Sequence, residues 1–351
     1  MIRSSDPAPR LLGVASAFPE TRIDKEAAHA ALVRLFPSED PAFIAQLVER
    51  SGVDTRHIAL PVAATLTPRD FTERNRCYRT AASELAVAAA QRALAVARCT
   101  PTEIDCVIDV SCTGVAIPAL DVDLVPALGL RRDVRRIPIT ESGCAAGALA
   151  LGLAGDLARG GATTLVVAVE LCSLTLCPDE SRTNLVASVL FGDGAAAAIL
   201  GPRGEGPTLV AAGSHLFEDT RDMMGFDIGQ HGLRIVLQKE LPGHLERHLR
   251  PAIEAFLHAH DRRPSDIGLH LVHPGGRRIL ETYRTLFALD ADALRFSEEA
   301  LRRYGNLSSA SILTVLELAL AAHARPAPGR DALLVGIGPG LSLEISLWSW
   351  N

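Results

Sequence analysis

The sequence predicts an α/β fold built on a mostly parallel sheet. Three observations carry that expectation. Short continuous apolar runs, at residues 106–110, 163–171 and 269–272, have the pattern of strands covered on both faces. Helical patterns alternate with them along the chain. The 351 residues, 48% of them hydrophobic, are enough for one large domain or two fused halves with a substantial core.

Taken in order, residues 11–18 form a first strand that ends at Pro19. Asp24 can cap a helix reaching about residue 35, and residues 41–51 make a second. The polar stretch 69–76 is expected to be a loop before a long helix over 80–97. Thr100-Pro101-Thr102-Glu103 is a capped turn into the strand 106–110, and residues 121–128 are helical. An apolar run then ends near Ile139. Glu141-Ser142-Gly143 turns the chain, and Cys144 opens an Ala/Leu/Gly helix to about residue 159. After the strand 163–171 and the turn Phe191-Gly192-Asp193-Gly194 comes a strand at 195–200. Residues 201–207, Gly-Pro-Arg-Gly-Glu-Gly-Pro, are linker-like, which divides the chain into halves 1–206 and 207–351. The second half repeats the style. It has strands at 208–213 and 233–237, a helix at 242–259, and a strand at 269–272 that runs into His273-Pro274-Gly275-Gly276. Helices at 277–289, 298–304 and 309–323 follow, then strands at 332–337 and 341–347.

Bulk properties exclude several classes. A net charge of −6, with both signs mixed, gives no footprint for nucleic acid. The first ten residues carry charges and two prolines but no apolar core, so they are not expected to be a signal peptide. No run reaches the roughly 18 apolar residues of a membrane span. Seven cysteines without framework spacing point to reduced thiols and a cytoplasmic location. No His/Cys cluster has zinc spacing, so no metal is expected.

Three residues carry chemistry. Cys144 stands at a helix start, where unpaired N–H groups and the helix dipole favour a thiolate. His273 ends a buried strand ahead of Pro-Gly-Gly, a poor place for a packing residue. Asn306 lies in a turn that feeds a helix. Cys, His and Asn together can form a thiolate–imidazolium pair and a pocket for a thioester oxygen. Taken singly, each has an ordinary reading as a buried thiol, a packing imidazole or a turn former.

Five motifs occur in fixed order: Gly143-Cys144-Ala145-Ala146-Gly147, Leu190-Phe191-Gly192-Asp193-Gly194-Ala195, His273-Pro274-Gly275-Gly276, Tyr304-Gly305-Asn306-Leu307-Ser308-Ser309-Ala310 and Gly336-Ile337-Gly338-Pro339-Gly340-Leu341. With them the sequence resembles the type III polyketide synthases, the chalcone synthase-like enzymes, over nearly its whole length. The resemblance implies a thiolase-like αβαβα fold in two pseudo-symmetric halves, a homodimer, and decarboxylative condensation of malonyl-CoA onto an acyl-CoA starter without a carrier protein. It implies Cys144 as the acyl carrier, with His273 and Asn306 holding the malonyl thioester oxygen. His273 is also expected to pair with the Cys144 thiolate. CoA thioesters are the substrates, and no metal or redox cofactor is needed.

The same resemblance assigns pocket positions. Phe191 would stand between the CoA tunnel and the cavity, and Ile235 replaces a second aromatic gate of plant enzymes. Cys112, Cys172, Thr175 and Ser308 would line the cavity. Ile117 would reach across a dimer interface into the partner's cavity, and Arg50 would contact CoA phosphate. Leu171-Cys172-Ser173-Leu174-Thr175 and Asn184-Leu185-Val186-Ala187-Ser188 are similar to bacterial alkylresorcinol and alkylpyrone synthases. That suggests a medium or long fatty acyl starter and pyrone or resorcinol products. The alternatives are a malonyl-primed tetrahydroxynaphthalene-type synthase, a single-condensation β-ketoacyl carrier-protein synthase III, and a non-catalytic thiolase-fold partner. His-Pro-Gly-Gly and the Gly-Pro-Gly terminus oppose the single-condensation enzyme. The intact Cys, His and Asn oppose the non-catalytic partner.

Overall fold

The structure is a computed structural model that describes residues 8–175, 180–229 and 232–350. The first half carries β1 (Arg10–Ala17), β2 (Thr21–Asp24), α1 (Lys25–Leu35), α2 (Pro41–Arg50), β3 (Thr55–Ile58), α3 (Val62–Thr65), α4 (Phe71–Ala97), β4 (Cys106–Val110), α5 (Asp121–Leu128), β5 (Arg135–Ile139), α6 (Ala146–Arg159), β6 (Thr164–Leu171), α7 (Cys172–Thr175), α8 (Arg182–Leu190) and β7 (Asp193–Gly201). The second carries β8 (Thr208–Leu216), β9 (Met224–Gly229), β10 (Gly232–Leu237), α9 (Leu241–Ala259), β11 (Ile267–Val272), α10 (Arg277–Leu286), α11 (Arg295–Tyr304), α12 (Ala310–Ala321), β12 (Asp331–Gly338) and β13 (Ser342–Ser349).

Nine strands join in the order β11-β12-β13-β8-β1-β7-β6-β4-β5. The register between β1 and β8 consists of one pair, Arg10 with Thr208. The sheet is therefore two sheets hinged at that pair. In each, two parallel strands are followed by two antiparallel steps: β4, β6, β7, β1 in one and β11, β12, β13, β8 in the other. Helices α6 and α12 lie between the sheets, sharing one core with both. Helix α4 covers the outer face of the first sheet, and α9 and α10 cover that of the second. This is the αβαβα layering.

The sheet is mixed, not mostly parallel. Buried runs such as β6, β7 and β12 do not report direction. They are apolar because helices cover both faces, whichever way the neighbour runs. The expected loop at 69–76 is also corrected, since α4 starts at Phe71. Asp70 accepts from Glu73 N at 2.8 Å, and Glu73 reaches back to Asp70 N at 3.3 Å, a capping box that starts the helix through polar residues. Asp24 caps α1 as expected, accepting from Ala27 N.

Close backbone approach fixes the central layer. A Cβ on Gly147 would stand 2.1 Å from the Ser309 carbonyl oxygen, so α6 and α12 cross where only hydrogen fits. That crossing brings the start of α6, just after Cys144, against the start of α12, just after Ser308.

Candidate active site

Cys144 lies in a 3₁₀ turn, Gly143–Ala145, one step ahead of α6. Gly143 has φ +54°, and a Cβ there would meet the Pro339 ring at 2.5 Å. The turn can hold the thiol in place only with glycine. His273 follows β11, and its N–H continues the ladder to Val335 O at 2.8 Å. Asn306 follows α11 through Gly305, whose φ is +73°.

Asn306 is laced to the first half. Its N–H donates to Leu190 O at 2.9 Å, and its carbonyl accepts from Gly192 N at 3.0 Å, a bridge that pairs it with Phe191. Its side-chain oxygen accepts from Ser308 N at 2.8 Å, which turns the amide NH₂ toward Gly275 O and the cavity. Ser308 holds φ +50°, a strained backbone for a residue with a Cβ.

One cavity of about 600 Å³ gathers Cys144, His273, Asn306 and Ser308 with Cys112, Cys172, Thr175, Phe191, Ile235 and Arg50. Ten of the eleven residues expected at the site thus share one wall system. Ile117 does not line it. It is 89% exposed, in the segment between β4 and α5.

Beneath the thiols sits a residue absent from the sequence expectations, Glu170. It is fully buried near the end of β6. Its carboxylate accepts from Cys112 N at 3.1 Å, Thr113 Oγ1 at 2.7 Å and Ser309 Oγ. The Cys112 thiol also donates to it, at 3.4 Å. Ser308 Oγ then stands 3.4 Å from both Cys112 Sγ and Cys144 Sγ. Its only signal in the sequence is an acid inside an otherwise apolar strand.

The expected thiolate–imidazolium pair is not formed here. The hydrogen-bond partner of Cys144 is Ser308, while His273 Nδ1 has none. Burial pushes the Cys144 thiol up to about 11, opposed by the Ser308 hydrogen bond and reinforced by the Glu170 charge. Burial pushes His273 down to about 4. Both shifts favour the neutral form of the group. An apolar cavity desolvates each, and the nearest charge has the wrong sign for a thiolate.

The exposed lining residues include five cations: Arg50, Arg182, Lys239, Arg277 and Arg278. Arg182 pairs with Glu39 and Arg277 with Glu281. No carboxylate pairs with Arg50 or Arg278 among the described residues. The cavity thus runs from a basic rim to an apolar floor that carries the thiols. Among the described residues no cluster of His, Cys, Asp or Glu stands where it could hold a metal.

Comparison with known proteins gives the family. Residues 2–204 match the family described as chalcone and stilbene synthases, N-terminal domain, and residues 208–349 match its C-terminal domain. The chain is 40% identical to the 1,3,6,8-tetrahydroxynaphthalene synthase of Streptomyces peucetius subsp. caesius, over 90% of this chain and 86% of that one. It is 29% identical to the alpha-pyrone synthesis polyketide synthase-like Pks18 of Mycobacterium tuberculosis, over 95% and 88%. The crystal structure of the tetrahydroxynaphthalene synthase of Streptomyces coelicolor A3(2), a bacterial type III polyketide synthase, superimposes with a TM-score of 0.92 at 36% identity, covering 97% of this chain and 99% of that one. This chain belongs to the chalcone and stilbene synthase family and is a type III polyketide synthase.

Proposed function

We propose that the enzyme is primed by malonyl-CoA and extends it with further malonyl units to an aromatic product of the tetrahydroxynaphthalene type. The supporting observation is the grading of its relatives. Tetrahydroxynaphthalene synthases stand at 40%, 39% and 33% identity, and the alpha-pyrone enzyme at 29%. The fatty acyl starter favoured by the local motifs keeps one argument, the mostly aliphatic lining that includes Val186, Leu190, Ile235, Leu237 and Leu245.

In this reading Cys144 attacks the starter thioester and CoA leaves as its thiol, with His273 as the base that relays the proton. A second malonyl-CoA places its thioester oxygen between His273 and the Asn306 NH₂. Carbon dioxide departs, and these donors stabilise the enolate. The carbanion attacks the Cys144 thioester, and the lengthened chain returns to the thiol. Phe191 and Ile235 border the passage. Cys112, Cys172, Thr175 and Ser308 shape the folding of the chain. Arg50 and Arg278 take the CoA phosphates. The scheme needs no metal or redox cofactor. A homodimer completes the cavity with Ile117 from the partner.

Mass spectrometry of products from purified protein tests this. A cyclised product from malonyl-CoA alone, unchanged by added acyl-CoAs, is expected and would be absent from Cys144→Ala. Pyrones or resorcinols whose mass tracks an added acyl chain would instead establish the fatty starter. Activity only with malonyl carrier protein would reject both.

A further inference from the structure

A second cavity, of about 450 Å³, lies on the far side of Phe191, which lines both. Its volume falls within the about 300–1,000 Å³ of small-molecule sites. Its walls come from α1, the segment after β3 and the face of α8 turned from the catalytic cavity. They are apolar at Leu32, Phe36, Leu60 and Leu66. Among the described residues four arginines line it, Arg34, Arg56, Arg69 and Arg74, with one acid, Glu180.

Arg56 is the unusual one. It is only 4% exposed, yet no carboxylate pairs with it among the described residues. Its Nη1 donates to Ser188 O at 2.6 Å and Phe191 O at 3.2 Å. The nearby Asp193 spends its oxygens on Ala59 N, Ser173 N and Ser173 Oγ. Among the described residues Nε and Nη2 make no hydrogen bond, and they are not sealed off from solvent, so they open on the cavity that Arg56 lines. Burial pulls Arg56 down to about 10. A desolvated cation of this kind gains from an anion placed against it.

We propose that this cavity binds a medium-chain aliphatic carboxylate, with its head on Arg56 and its chain against Leu32, Phe36, Leu60 and Leu66. The site is separate from the catalytic cavity, and it is independent of which starter the enzyme uses. The occupant would rest on the outer side of Phe191 and on the guanidinium that holds the Phe191 carbonyl.

The test uses the full chain carrying Cys144→Ala, with decanoate as the probe in titration calorimetry. One decanoate per chain is expected, undisturbed by saturating CoA, with decanol bound at least about tenfold more weakly. Ala31→Trp, at the half-buried rim, should abolish binding, while with Cys144 intact it leaves turnover of malonyl-CoA unchanged. Arg56→Gln keeps a donor for Ser188 O and should bring decanoate down to the affinity of decanol. No saturable binding, displacement by CoA, or equal binding of decanol and decanoate would each overturn the proposal. Binding that survives Ala31→Trp would do the same.

Discussion

Cys144 sits between a hydroxyl that favours its thiolate and a carboxylate that opposes it, and the two can be separated experimentally. The Ser308 hydrogen bond lowers the thiol pKa, and the Glu170 charge raises it. Ser308→Ala should therefore move the pH midpoint of Cys144 alkylation up, and Glu170→Gln should move it down. Iodoacetamide rates measured across pH, with mass mapping of the labelled site, check both signs. A midpoint unmoved in both variants would detach the thiol from this chain of contacts. That Cys144, His273 and Asn306 meet in one cavity was expected from the five ordered motifs, since each residue taken singly reads as a buried thiol, a packing imidazole or a turn former. Glu170 was not legible. A lone acid in an apolar strand declares a role only when Cys112, Thr113 and Ser309 converge on it from elsewhere in the chain. The pKa shifts were illegible for the same reason, since they follow from burial in the assembled cavity and not from the local helix start.

At the scale of elements, the site depends on how closely α6 and α12 cross. Gly147→Ala puts a methyl group into the Ser309 carbonyl and must push the two helices apart. Overpacking of this kind costs about 1–3 kcal/mol. A lower denaturation midpoint is expected, with a larger loss of turnover than of stability, because Cys144 and Ser308 lie at the two helix starts. Turnover retained at wild-type level despite a lowered midpoint would show that the crossing serves stability alone. Most long elements were readable from apolar periodicity. The missed ones are short or polar: β2, β3, β9, α3, α7, α8 and the first turns of α4. Short strands such as β2 and β3 carry little pattern, and α4 starts through charges held by a capping box. Strand direction was misjudged because burial on both faces is a property of the layers, not of the ladder.

For the whole molecule, the open question is the edge at β5. Arg135, Arg136 and Pro138 on that strand are exposed, and nearby Val115, Ile117 and Val122 present apolar side chains to solvent. An unpaired edge flanked by such a patch calls for a partner, and the homodimer proposed above would cover it. Ile117→Glu should shift sedimentation from dimer to monomer. It should also reduce turnover if that side chain enters the partner's cavity. A wild-type monomer would remove the argument.

The bridge from Phe191 to Asn306 joins residues of the two halves, and it bears on what is complete at each stage of synthesis. A ribosome that has released 250 residues has delivered Cys144, Glu170 and Phe191, but neither His273 nor Asn306. The inner faces of β6 and β7 and the helix α6 then lack α12, the layer that closes over them. The unfinished chain must wait with its central apolar surface uncovered, and the catalytic thiol has no finished site. The cavity is complete only once His273 and Asn306 have been made, and until α12 follows them the exposed layer is open to aggregation.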